Sequence, residues 1–348
     1  MQGCKHRSFT GISAVSDTQI LDRLVAFGGG HGLFATLRAG RSLLADRVIK
    51  DLTAIVGVSD DGGSSGRIRR AFNVAPPGDL RMAITALLPQ GPIGENVESI
   101  LQYRFPDSET HSRFDESLSG LEGHVVGNVL LTALWNSGAS THEGLDLLCS
   151  FFGVQGRVLP CSSAAVEIVA TISGLDPEQP SVLEKVSGQV AIATTMGTVT
   201  QIQIEPHEPP PCSEAVNAIG LAGVLVFGPG SWFTSLVPPL LVPSIREAII
   251  NSSAQRILIM NLTEQIGETS GYTAVDYLNS WGKIFPEINL DLIIVDPNFV
   301  EDQRDCEQAA SRIGAKVFSI DVATCESTHD PKKLARALRQ AAIELGSK

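Results

Sequence analysis

The amino-acid sequence predicts an α/β protein: a doubly wound, mostly parallel sheet with a small strand-rich insertion. Three observations carry this. Short apolar runs rich in β-branched residues, such as "LTAIVGV" (residues 52–58), read as strands covered on both faces. Helical patterns stand between them. Glycine clusters sit where those runs end, as a strand-to-helix turn requires.

The elements follow in order. Residues 1–20 hold basic residues but no apolar core behind them, so they read as a loose tail rather than a signal peptide. In "RLVAFGGGHGLFATLRAGRSLL", residues 24–27 form a strand, 28–32 a glycine turn and 33–44 a helix. With the strand at 52–58 this makes a right-handed parallel βαβ unit. "GDLRMAITALL", "GENVESILQYRF", "GHVVGNVLLTALWNSG" and "HEGLDLLCSFFGV" are helical. The texture changes near Gln155. "AVEIVATISG" and "GQVAIATTMGTVTQIQIEP" alternate as short strands, closed by Pro209, Pro210 and Pro211. Strand and helix then alternate again through "AGVLVFGPGSWFTSLVPPLL", "QRILIMNLTEQIGETSGYTAVDYLNSW", "LDLIIVDPN" and "AKVFSIDV". The chain ends in an amphipathic helix, "DPKKLARALRQAAIEL", with an Asp cap. The expectation is one Rossmann-like domain over residues 21–348, with the insertion at about 155–211.

Composition narrows the function. A net charge of −12 argues against broad nucleic-acid or anionic-membrane binding. It still allows a small anionic ligand in a locally positive site. The six cysteines are scattered without metal-type spacing, which suits free thiols in a reducing cytoplasm. No apolar stretch reaches the ~18 residues of a membrane span. A cytoplasmic location is the expectation.

Four loops follow apolar strands, and in an open parallel sheet ligands sit beyond the strands' carboxyl ends. The first, "GGGHG", comprises Gly28, Gly29, Gly30, His31 and Gly32. The third contains Gly228, Pro229, Gly230 and Ser231. Both are of the kind that cradles phosphate, because bare glycines let backbone N–H groups approach an anion at a helix start. The second, "SDDGGSSG", offers Asp60 and Asp61 to a Mg²⁺ or to ribose and sugar hydroxyls. Gly62, Gly63, Ser64, Ser65 and Gly66 follow as donors to phosphate, and Arg67, Arg69 and Arg70 supply positive charge. No "GKS" or "GKT" follows, so this is not a Walker loop. The fourth, "NLTEQIGETSGY", contains Asn261, Gln265, Gly267, Glu268, Thr269 and Tyr272. Two further stretches join the crevice. "PPGDLR" carries Arg81 and starts a helix with Asp79 as its expected cap; "GHVVGNVLL" sets His124 and Asn128 one helical turn apart, in hydrogen-bonding roles.

These stretches, in this order, resemble the bacterial gluconeogenesis-factor (YvcK-type) proteins. That group lies in the superfamily of 2-phospho-L-lactate transferase, the CofD enzyme of coenzyme F420 synthesis. "DDGGSSG" joined to "PPGDLR" is the specific part, and the resemblance runs from about Arg23 to the C-terminus. It implies a UDP-sugar-binding regulatory protein, acting in cell shape and wall synthesis on gluconeogenic carbon sources. It also implies that residues 28–32 and 60–66 face the nucleotide sugar and that 228–231 hold its diphosphate. Glu268, Thr269 and Tyr272 would close over the sugar or base. Two departures stand out: His31 where many relatives have Thr, and Glu264 and Ile266 where relatives often have Thr and Pro.

Three readings follow: a UDP-sugar-binding regulator without turnover, a Mg²⁺-dependent transferase of a phosphoryl-linked group, and a nicotinamide dehydrogenase. The dehydrogenase wants an acidic residue about 20 positions after the glycines. Asp60 lies further on, inside a glycine-serine loop that a ribose contact does not need. The regulator reading is preferred. The sugar, the protein partner in wall synthesis and the oligomeric state stay open, a homodimer among the options.

Overall fold

The computed structural model describes residues 22–106, 120–325 and 328–346. The tail expected over residues 1–20 lies outside them. The chain opens with β1 (Arg23–Gly28), α1 (Gly30–Ala45) and β2 (Asp51–Val56), the βαβ unit expected from the apolar runs. Helices α2 (Gly63–Phe72), α3 (Pro77–Ala86), α4 (Pro92–Gln102), α5 (Val126–Asn136) and α6 (Thr141–Phe152) follow. The ends of α6 are written in the sequence. Ser140 and Glu143 form a capping box at its start, and Gly153, at φ 61, stops it.

Next come β3 (Arg157–Pro160), β4 (Glu167–Ser173), β5 (Leu183–Ser187), α7 (Gln189–Ala193), β6 (Thr198–Glu205) and α8 (Ser213–Gly220). After β7 (Val224–Phe227), a π-helical turn, Trp232–Leu236, runs into α9 (Val237–Leu241) and α10 (Pro243–Asn251). The last part holds β8 (Gln255–Ile259), α11 (Ala274–Ile284), β9 (Leu292–Val295), α12 (Gln303–Arg312) and β10 (Lys316–Ser319). A hairpin of β11 (Ala323–Cys325) and β12 (Thr328–His329) precedes α13 (Pro331–Gly346).

Seven strands form one parallel sheet in the order β10-β9-β8-β7-β1-β2-β3. The chain builds outward from β1 to β3, returns to lay β7 beside β1, and then builds the other way. That reversal is the switch point at which an open α/β sheet forms its ligand crevice. Phe27 of β1 stacks on Phe227 of β7 with ring centroids 5.3 Å apart, and Phe227 meets Trp281 at 5.0 Å. All three rings are buried, so the strands flanking the switch are pinned from beneath.

One boundary differs from the sequence-based expectation. Residues 157–160, expected in the insertion, form the edge strand of the main sheet, because "RVLP" pairs in parallel with β2. The insertion proper is the antiparallel sheet β5-β4-β6, and its base is closed by a bridge between Ser162 and Pro211. The β11–β12 hairpin was not anticipated, its strands being too short to show alternation. Among the described residues no single helix is long and apolar enough to cross a membrane. Cys149, Cys161, Cys212 and Cys306 are free and buried.

Candidate functional site at the switch point

Strands β8, β7, β1 and β2 are consecutive neighbours, so the four loops that follow them share one edge of the sheet. In the first loop the glycines serve different ends. A side chain on Gly32 would collide with the Pro229 backbone, so the first turn of α1 rests directly on the third loop. A side chain on Gly29 would displace the Asp79 carboxylate. Gly30, at φ +55, has nothing within 4 Å of where its Cβ would stand and faces open space. His31 is exposed beside it.

Asp79 corrects an expectation. It does not cap α3; Pro76 occupies that position, and Asp79 sits inside the first turn. From there its carboxylate reaches across the crevice to accept the Gly30 N–H. Desolvation, then the nearby Asp60 charge, push Asp79 up to about 7. Asp60 is raised as well, chiefly by burial, against hydrogen bonds from Ser65 and from the Gly62 N–H at 3.0 Å. Gly78 lies over Asp60 and Ser65, where any side chain would force them apart.

The adjacent aspartates have separate tasks. Asp61 accepts the Val190 N–H at 3.0 Å, so its carboxylate holds the start of α7. Gln189 donates to Thr234 O at 3.1 Å, and a side chain on Gly267 would strike Ala193 O. The insertion thus lays α7 across the second, third and fourth loops. Residues 189–193, expected in a strand, are helical instead; Gly188, at φ +99 and against Asp61, marks the turn into them.

Arg81 is the cation at the centre. It is only 8% exposed, its Nε donates to Asn128 Oδ1 at 2.9 Å, and its Nη1 has no partner among the described residues. Burial lowers it to about 10, with Asp79 and Asp60 opposing the shift. Arg67 and Arg70, expected to neutralise phosphate, are exposed instead; Arg67 donates to Glu122 O at 2.6 Å, and Arg69 lies in the last turn of α2. Helical spacing turns them away from a crevice that only the buried N-terminal turn of α2 reaches.

Ser64 binds this wall together. Its Oγ accepts from Asn128 Nδ2 at 3.1 Å and from the Val125 N–H at 3.4 Å, and lies 3.0 Å from His124 Nδ1. A hydroxyl has two acceptor sites and one proton, so that proton goes to His124 Nδ1, leaving the imidazole proton on Nε2. Burial, then Arg67, lower His124, which keeps the ring neutral as this bond needs. Ser64 therefore has no donor left for a phosphate. Ser65 serves Asp60, and Gly66 packs on the Asp61 backbone. Gly63, at φ +42, stays open.

The fourth loop braces the third. Asn261 exchanges two hydrogen bonds with Gly230, at 2.8 and 2.9 Å. Gln265 accepts the Trp232 N–H and Glu268 the Phe233 N–H, each at 3.0 Å. Gln265 Nε2 also donates to Ser231 Oγ at 3.4 Å, and Thr269 Oγ1 meets Tyr277 Oη at 2.8 Å. These side chains satisfy amides that a free phosphate loop would offer to a ligand. Burial pushes Glu268 up to about 7. Gly228 is buried, bonded to Phe27 O at 3.1 Å. Tyr272 packs against the turn that follows the third loop and against α11. Its ring meets Phe233 and Tyr277 edge-on, and it lines a ≈ 470 Å³ cleft with Arg246, Lys283 and strand β6.

Asp61 Oδ1 accepts from α7 and Asp60 Oδ1 from Gly62, so a metal held by this pair would draw on their remaining oxygens. Among the described residues no group of three or more His, Cys, Asp or Glu is placed to hold a metal. Asp60 feels the Asp61 charge and Asp79 feels that of Asp60, and Mg²⁺ commonly takes one or two carboxylates with ligand phosphate oxygens.

Residues 24–335 match the family model of CofD, 2-phospho-L-lactate transferase. The chain belongs to the CofD family. It is 42% identical over 321 residues to a Mycobacterium tuberculosis protein named "Putative gluconeogenesis factor", covering 91% of this chain and 89% of that one. It is 31% identical over 332 residues to the gluconeogenesis factor of Bacillus subtilis, covering 91% and 96%. A solved UPF0052 family protein from Bacillus halodurans superposes with a TM-score of 0.77 at 29% identity, over 93% of this chain and 99% of that one. The family and the parallel α/β fold are those expected from the sequence.

Proposed function

We propose that the protein binds a UDP-sugar in the switch-point crevice and acts as a cytoplasmic regulator of cell shape and wall synthesis during gluconeogenic growth. The observation that carries the binding reading is Arg81: a buried guanidinium whose Nη1 has no partner among the described residues, within electrostatic reach of Asp79 and Asp60. A free buried donor beside carboxylates suits a ligand with both anionic oxygens and hydroxyls, as a nucleotide diphosphate sugar has. Support for the regulatory role comes from relatives that carry the name gluconeogenesis factor. A Mg²⁺ drawing on Asp60 and Asp79 would offset diphosphate charge.

Calorimetry with a panel of UDP-sugars, with and without EDTA, tests this. Arg81→Met should weaken binding about tenfold to a hundredfold, the range for a lost charged hydrogen bond, in protein whose circular dichroism is unchanged. Equal affinity in folded Arg81→Met would sink the proposal.

One observation favours a second reading, Mg²⁺-dependent transfer of a phosphoryl-linked group. Asp79 at about 7 is matched to proton transfer near neutral pH, and the family model bears a transferase's name. Release of UDP or UMP from a UDP-sugar in the presence of candidate acceptors separates the two.

A further inference from the structure

A second polar cleft, ≈ 510 Å³, opens between α1 and the starts of α4 and α13. Arg38, Arg41, Gly91, Glu98, Asp330 and Lys332 line it. It lies three turns along α1 from Gly30, roughly 16 Å at the rise of an α-helix. None of the four switch-point loops reaches it.

Arg41 is its unusual member. It is 7% exposed, donates Nη1 to Leu88 O, and has a buried Nε without a partner among the described residues. No ion pair among the described residues includes it. A buried cation without a counter-charge is costly to a fold. Glu98 is the carboxylate whose charge reaches Arg41, and Arg38 shares it, so two guanidiniums stand against one carboxylate. Asp330 accepts the N–H groups of Lys332 and Lys333 at 2.7 and 3.1 Å. Glu95 also lines the cleft but is exposed and joins no ion pair among the described residues. Gly91, φ 105, leads into α4 without a side-chain cap, and Pro92 has no N–H, so the open amides of the first turn are those of Ile93 and Gly94. Arginine beside an open helix N-terminus is a phosphate-binding combination.

We propose that this cleft is an anion site, separate from the crevice, for the phosphate group of a small phosphorylated metabolite. Arg41 binds it directly, with Arg38, Lys332 and the first amides of α4 around it. The anion supplies the second negative charge that the Arg38, Arg41 and Glu98 cluster lacks. Both sites then sit on one helix, α1, the crevice at its N-terminus and this cleft further along.

Inorganic phosphate is the probe, titrated calorimetrically into full-length protein at constant ionic strength in chloride. Arg41→Met should weaken phosphate binding about tenfold, the loss expected of one charged hydrogen bond. Lys332→Gln, an exposed change that leaves the fold intact, should weaken it by a smaller but measurable factor. Arg81→Met, in the crevice, should leave the Arg41-dependent component of the phosphate isotherm in place. No phosphate binding by the wild type, or binding that survives in Lys332→Gln and is lost in Arg81→Met, overturns the proposal. So does an unchanged isotherm in folded Arg41→Met.

Discussion

Asp79 shows how one side chain carries both stability and site chemistry. Its carboxyl and that of Glu268 are raised to about 7, so each holds its proton more tightly in the folded chain than in the unfolded one. For such groups stability is fully present below the unfolded value, about 4, and is lost as pH rises toward 7. The melting temperature should therefore fall between about pH 4.5 and 7. Asp79→Asn, which keeps an acceptor for the Gly30 N–H but cannot ionise, should flatten that slope. An identical pH profile in the mutant would show that Asp79 is ionised throughout. Asp60→Asn should weaken UDP-sugar affinity more than it lowers the melting temperature, with an effect that shrinks in EDTA if Mg²⁺ is bound there. Tyr272 belongs to packing as much as to a ligand. Its contacts with Phe233 and Tyr277 predict that Tyr272→Ala lowers the melting temperature, a result differential scanning calorimetry can deny.

Among the elements, α7 is five residues long and cannot be stable by itself, since helices that short are marginal in water. It stays because Asp61 caps Val190 and Gln189 ties it to Thr234. Asp61→Ala removes the cap, worth about 0.5–2 kcal/mol in comparable N-cap substitutions. We expect faster proteolysis of residues 182–196 with little loss of global stability. Asp61→Asn, which can still accept, should be protected like the wild type. Equal cleavage in Asp61→Ala would mean the latch contributes nothing. The glycines of α1 divide in the same way. Gly32→Ala meets the Pro229 backbone and should fail to fold normally, whereas Gly30→Ala meets only the left-handed strain of φ +55, about 1 kcal/mol. Chemical denaturation of both proteins ranks the two effects.

At the scale of the whole molecule, the loops after β8, β7, β1 and β2 converge because those strands are neighbours in the sheet, with the reversal between β7 and β1. Any ligand held there bridges the two halves of the sheet and binds only the folded chain. At ~100 times its dissociation constant it should add roughly 2.7 kcal/mol of stability. Thermal shift across UDP-sugars reads this directly, and a flat response to all of them would count against a ligand at the switch point.

The strands, the two glycine turns and the aspartate loop were legible in the sequence because each depends on local pattern: apolar runs, permissive glycines, turn residues. Family membership was legible for the same reason, through "DDGGSSG" and "PPGDLR". The partners of those residues were not. That Asp79 leaves its own helix for Gly30, that Asp61 holds the insertion, and that Ser64 is used up by His124, Asn128 and Val125 are long-range hydrogen bonds. So is the brace of Asn261, Gln265 and Glu268 on the third loop. Sequence spacing specifies which residues can reach a sheet edge. Only tertiary packing decides which polar atom there is already satisfied by protein, and which, like Arg81 Nη1, is left for something else.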